Sequence, residues 1–178
     1  MRKIPQKIPK NSPRHSLKNS LQDSPKNSPK NSPKNSLGEI YIKELNSRKE
    51  MMTAYELLQQ MYKTDFITYG SQIEEMIRLA NFKMIGAFLH NKIIGVCGYW
   101  VLLMLYCGRY IQASNLIVDN KYRNLGIGKK LLDYLEKKGR KLKCQKFVLD
   151  SSSENKKSHA LYYREGFYIR GFHFMKDL

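Results

Sequence analysis

Arg123, Asn124, Leu125, Gly126, Ile127 and Gly128 follow one another between an apolar run that ends at Val118 and an amphipathic stretch that begins near Gly126. A turn of this kind, from strand to helix, can hold an anion. The amides of the loop and of the first helical turn point the same way, and the start of the helix carries about half a positive charge. Glycine at 126 and 128 lets phosphate oxygens approach the backbone without meeting a Cβ. Arg123, Lys129 and Lys130 add formal positive charge nearby. A ligand with a pyrophosphate suits this R-x-x-G-x-G arrangement best. A Rossmann fingerprint would need a third glycine where Leu131 stands. A P-loop would need a hydroxyl after Gly-Lys, where the chain has Lys130.

A second constellation follows downstream. Asn155, Ser158 and Tyr162 are spaced i, i+3 and i+7, so one helical face presents all three to one ligand. Tyr162 offers a proton-donating hydroxyl; packing as a core aromatic behind the stop at Gly166 is the alternative.

Together these segments resemble the GNAT acetyltransferase superfamily. Leu116-Ile117-Val118, Tyr122-Arg123, Leu125-Gly126-Ile127-Gly128 and Leu131-Leu132 are similar to its motif A. Residues 155–167 resemble its second signature, N-x-x-A-x-x-L-Y-x-x-x-G-F, with Ser158 at the usual alanine. The resemblance covers the chain from Glu39 to its end, and two motifs in the right order are more specific than either alone. It implies an α/β (α+β) fold: a mixed, mostly antiparallel sheet flanked by helices, with a splayed β-α-β coenzyme site. It implies acetyl-coenzyme A as co-substrate, with the pyrophosphate on Arg123, Asn124, Leu125, Gly126, Ile127, Gly128 and Lys129. The pantetheine arm would pair with Leu116, Ile117 and Val118. Asn155 would hold the coenzyme from the other side, and Tyr162 would be the catalytic residue beside the thioester sulfur.

The implied reaction is attack of a neutral amine on the thioester carbonyl. An alkyl ammonium with a pKa near 10.4 loses its proton at pH 7 at a cost of about 4.6 kcal/mol. The site therefore wants a proton acceptor, a backbone N–H for the developing oxyanion and a proton for the leaving thiolate. Many relatives carry a carboxylate in the strand before the phosphate loop. Here that stretch reads Ser114-Asn115. The base is left open among Asp150, His159, Asp119 and water. The acceptor is expected to be a primary amine of a small molecule or peptide. Tyr99, Trp100, Tyr106 and Tyr110 are read first as core and second as walls of its pocket.

Hydrophobic periodicity predicts the elements that position these groups. Residues 39–45 alternate as a first strand. Ser47 and Glu50 form a capping box for a helix with Met51, Tyr55, Leu58 and Met61 on one face, and a second helix begins near Ser71. Three strands follow as a meander, at 82–89, 93–107 and 110–118. A helix at 126–142, a short strand at 147–149, a short helix at 156–164 and a last strand at 167–175 complete the order β-α-α-β-β-β-α-β-α-β.

The 178 residues divide by composition. Residues 1–37 hold nine Lys/Arg and one Asp, with Ser-Pro-Lys-Asn three times in tandem from Ser24 to Asn35. Recurrent proline and scarce apolar side chains predict a disordered basic tail; residues 38–178 form the catalytic domain. The net charge of +17 favours anionic ligands. Nucleic acid is not the expected partner, because each tail repeat carries one lysine. Cys97, Cys107 and Cys144 lack metal-ligand spacing, so no disulfide framework and no metal are expected, in a reducing, cytoplasmic setting. The apolar stretch at 93–107 is shorter than the roughly 20 residues of a spanning helix, so no membrane is expected. A homodimer is left open. Two other classes compete with the enzyme: a catalytically silent acyl-coenzyme A-binding module with a partner-binding tail, and a nucleic-acid-binding protein using the basic stretch 129–146.

Overall fold

The structure, a computed structural model, describes residues 38–178; the basic tail lies outside the described residues. Five strands form one sheet in sequence order. They are β1 (Tyr41–Leu45), β2 (Lys83–Leu89), β3 (Lys92–Met104), β4 (Gly108–Val118) and β5 (Lys146–Leu149). The first three pairings are antiparallel and β4 pairs with β5 in parallel. The parallel pair needs a crossover, which α4 (Ile127–Lys141) supplies. The sheet is mixed and mostly antiparallel, an α+β arrangement.

Helices α1 (Arg48–Met52), α2 (Tyr55–Leu58) and α3 (Phe66–Ala80) cover one face. Their core joins Met51, Leu57, Leu58, Tyr69 and Ile73 to Met84, Val96 and Ile117 of the sheet. On the opposite face, Ile127, Leu131 and Leu135 of α4 pack on Ile85, Ile94, Tyr99 and Ile111. Coverage on both sides explains why β2 reads Met-Ile-Gly-Ala-Phe-Leu without polar alternation.

Three expected elements differ. The run predicted as one helix from Ser47 breaks into α1 and α2. The capping box forms, with Glu50 N–H donating to Ser47 Oγ at 3.2 Å, but the Thr53 hydroxyl bonds back to Glu50 O at 2.6 Å and the helix ends there. Helix α3 begins before Ser71, at Phe66, capped by the Asp65 carboxylate. Its first turn is exposed (Phe66 54 %, Ile67 79 %), so the apolar stripe starts a turn later than the helix. The expected strand at 167–175 is not formed. A ladder needs an edge to pair with, and β5 is four residues long. Phe167 packs on Phe147 with ring centroids 5.0 Å apart, while Phe172 and Phe174 are more than four-fifths exposed.

Two irregularities of β4 matter for function. Val96 pairs with Ile117 and Gly98 with Ser114, so Asn115 and Leu116 stand opposite Cys97 alone. This bulge puts Asn115 at φ +53°. It also shifts the side-chain phase: Ile111 and Ala113 face α4 before it, and Leu116 and Val118 do so after it. The second irregularity is the split. Pairing with β5 stops at Ala113↔Leu149, while β4 runs on to Val118.

Candidate active site

The loop after β4 is shaped by its own side chains. Asp119 Oδ1 accepts from Lys121 N–H at 3.0 Å and caps a 3-10 turn, Asn120–Tyr122. Asp119 N–H donates to Ile94 O at 2.9 Å, which ties the loop to β3. Arg123 Nε donates to Val118 O at 3.2 Å, folding the loop over the end of β4. Asn124 and Gly126 then adopt left-handed conformations (φ +65° and +74°) and turn the chain into α4.

Gly126 is the N-cap of α4 and offers no side-chain cap. The first bond onto it is Lys130 N–H to Gly126 O, at 3.0 Å. The amides of Ile127, Gly128 and Lys129 therefore stand ahead of the ladder, where an anion is favoured. A Cβ built at Gly126 would meet nothing within 4 Å. An uncapped helix start with open space before it fits a phosphate group. Gly128 also serves packing. A Cβ there would lie 3.3 Å from Leu161 Cδ2, so its bareness seats α5 (Lys156–Arg164) against the first turn of α4.

Lys129 does not stand free beside the loop. Its ammonium lies 2.9 Å from Asp133 Oδ1 and 2.5 Å from Glu165 Oε2, and these partners, Glu165 foremost, raise its pKa. It ties α4 to the end of α5.

Helix α5 brings the second motif to the same place. Asn155 is its N-cap, with Oδ1 accepting from Ser158 N–H at 3.3 Å, so it stands before the helical face rather than on it. Its side-chain amide keeps donors for a ligand. Tyr162 is partly buried and packs edge-on to Phe167, centroids 6.0 Å apart. Burial raises the phenol above the ordinary tyrosine value; the Ser158 hydroxyl opposes this and the Cys97 thiol adds to it. The hydroxyl thus holds its proton through the neutral range and can give it to a stronger base.

The base candidates separate. Asp119 is committed to the loop. His159 Nε2 lies 2.9 Å from Ser152 O. Asp150 Oδ2 accepts from Gln112 Nε2 at 2.8 Å, a bond across the start of the split rather than the cap of the following serine turn. Of the expected aromatic walls, Tyr99 and Tyr110 are core, Tyr106 is exposed, and Trp100 lines a cleft on the α3 side.

That cleft brings in residues the sequence does not announce. Tyr62, in the loop after α2, donates its hydroxyl to Asn115 Oδ1 at 2.9 Å and so clasps the bulge. By spacing Tyr62 continues the stripe of Met51, Tyr55 and Leu58 and so reads as core, but α2 ends at Leu58 and leaves it in a loop. An asparagine inside a strand pattern is the one available sign of the bulge, because asparagine tolerates the left-handed region.

A sequence model of the Acetyltransferase (GNAT) family matches residues 51–167, and the chain belongs to that family. Among solved structures, an acetyltransferase from Trypanosoma brucei is 23% identical; the match covers 79% of this chain and all of that one, with a TM-score of 0.65. The ribosomal-protein-alanine N-acetyltransferase from Brucella melitensis biovar Abortus 2308 is 19% identical, with 79% and 100% covered and a TM-score of 0.67. The glucosamine-6-phosphate N-acetyltransferase from Arabidopsis thaliana is 21% identical, with 79% and 99% covered and a TM-score of 0.63. At these identities the likeness is one of fold. No curated protein matches the sequence. No helix among the described residues is long and apolar enough to cross a membrane.

Proposed function

We propose that this chain transfers the acetyl group of acetyl-coenzyme A to the nitrogen of a primary amine by direct attack. The observation that carries the reading is the split sheet. From Ser114 to Val118 the outer edge of β4 has no strand against it among the described residues, and that edge leads into the open N-terminus of α4. An extended amide-bearing arm ending in a pyrophosphate complements both features.

In this reading the acetyl donor supplies an activated thioester. Leu116, Ile117 and Val118 pair with its arm. The amides from Arg123 to Lys129 hold the pyrophosphate, with Arg123 and Lys130 adding charge and Lys129 fixing α5. Asn155 closes the site from the α5 side. The bulge frees main-chain groups at Asn115 and Leu116 from the β3 ladder, and an N–H there stabilises the oxyanion. The amine loses its proton to Asp150, directly or through water, and its lone pair forms the C–N bond. The C–S bond breaks, and Tyr162 gives the thiolate its proton. Cys97 is fully enclosed and burial pushes its thiol up to about 12, which favours direct attack over an acyl-cysteine route. The Brucella and Arabidopsis relatives, named for acetylating an alanine amine and an amino sugar phosphate, support an amine as acceptor. Three free cysteines support a reducing cytoplasm.

The binding half of the proposal is tested by thermal unfolding with acetyl-coenzyme A. Ligand at 100 times its dissociation constant adds about 2.7 kcal/mol of stability, and the midpoint should rise by several degrees. An unchanged midpoint at millimolar ligand would remove the basis for the coenzyme site.

A further inference from the structure

A cleft of about 850 Å³ lies between α2, α3 and the sheet. That size suits a small-molecule ligand. Ser114 and Asn115 line it, so it meets the split at the bulge, on the face opposite α4. Leu58, Ile73, Met76 and Leu102 supply much of its wall.

Several polar ends of its lining residues are turned to other uses. The Tyr69 hydroxyl donates to Met51 O at 2.8 Å, and the Tyr62 hydroxyl to Asn115 Oδ1. Gln59 donates to Thr64 O at 2.6 Å, and Gln112 to Asp150. The Trp100 indole N–H is enclosed by protein and has no partner, so the cleft meets the ring and not the donor. Phe82 packs against that ring at a tilt of 52°, with centroids 5.0 Å apart. What remains facing the space is mostly aromatic faces and aliphatic side chains, with Gln72, Thr64 and Ser114 as neutral polar groups among them.

Formal charge is equally sparse. Glu75 is the one ionisable carboxylate in the lining; it is exposed and lies 3.7 Å from Arg78. Asp150, held by Gln112, is the carboxylate next to the split. A ligand with several ammonium groups would place most of its charge against apolar walls, since Glu75 already faces Arg78 and Asp150 can take one ammonium. A ligand with one ammonium can set it at Asp150 and lay an apolar body along Trp100 and Tyr69.

Resting on the acetyltransferase reading above, we propose that the acceptor is a monoamine on an arylalkyl body, not a polyamine or an aminoglycoside. Trp100 is the only tryptophan in the chain, so its emission reports on the cleft without turnover. The full-length protein, saturated with coenzyme A, is titrated with phenethylamine, spermidine and kanamycin, by tryptophan emission and by calorimetry in parallel. Phenethylamine should bind saturably, with a midpoint at least about tenfold below either polycation, a gap that one uncompensated charge contact accounts for. Spermidine or kanamycin binding as well or better would overturn the assignment. So would the lack of any saturable phenethylamine signal by both methods. Stabilisation by acetyl-coenzyme A tests the coenzyme site separately: if it persists while phenethylamine fails, the acceptor assignment alone is lost.

Discussion

Gly126→Val should leave a folded protein that no longer binds acetyl-coenzyme A. Two features of Gly126 produce this. Its φ of +74° is a conformation that a β-branched residue resists, at a cost of about 1–3 kcal/mol. The space that its Cβ would enter is empty of protein, so the new methyl groups would occupy the room left for phosphate oxygens. Losing even one or two charge-assisted bonds of about 1.5–3 kcal/mol each weakens binding on the order of a hundredfold. Circular dichroism should keep its shape while the thermal shift with ligand disappears. Gly126→Asn separates the two causes, since asparagine tolerates the left-handed region but still brings a side chain. It should regain stability without regaining the coenzyme. Tight binding by both variants would mean that the phosphates lie elsewhere.

Tyr162→Phe should lower turnover by roughly 10²–10⁴, the usual worth of a positioned acid. The ring and its contact with Phe167 stay, so the fold should be barely affected. Coenzyme affinity should stay within a few-fold, because the loop at Gly126 is untouched. The loss should appear equally in kcat and kcat/KM, since the bond to the thiolate is made in the transition state. The pH profile adds a second readout. The phenol is raised above its ordinary value, so it stays protonated through the neutral range, and wild-type activity should not fall there through its ionisation. A wild-type rate in the phenylalanine variant would assign Tyr162 to packing and the thiolate proton to water or His159.

The parts of this site that are legible in the sequence are those whose chemistry depends on residue type at short spacing. Gly126 announces an open helix start, and the run from Asn155 to Gly166 announces a short helix, although Asn155 turns out to cap it and not to share its face. The amphipathic period of α4 and the capping box at Ser47 are equally readable, because each is a local rule. What escapes depends on contacts distant in sequence. Gly128 reads as a phosphate glycine alone, and its second role, the close seating of Leu161, needs the fold to be seen. Lys129 reads as a coenzyme cation until Glu165 and Asp133 take its charge. Asp150 reads as the cap of a serine turn until Gln112 reaches it from the neighbouring strand. The alternation at 167–175 says how a strand would be built but not whether the short edge at β5 will pair with it.

Acetyl transfer itself is tested most directly with acetyl-coenzyme A that carries an isotopically labelled acetyl group. The full-length protein is supplied with phenethylamine, spermidine, kanamycin and a lysine-containing peptide in separate reactions. Free coenzyme A thiol and amine mass are followed together. The label should appear as an amide on at least one amine, with one thiol released for each acetyl group transferred. Saturable binding of acetyl-coenzyme A, with no labelled amide on any of the four and thiol release no faster than without amine, would contradict catalysis and leave a coenzyme-binding module.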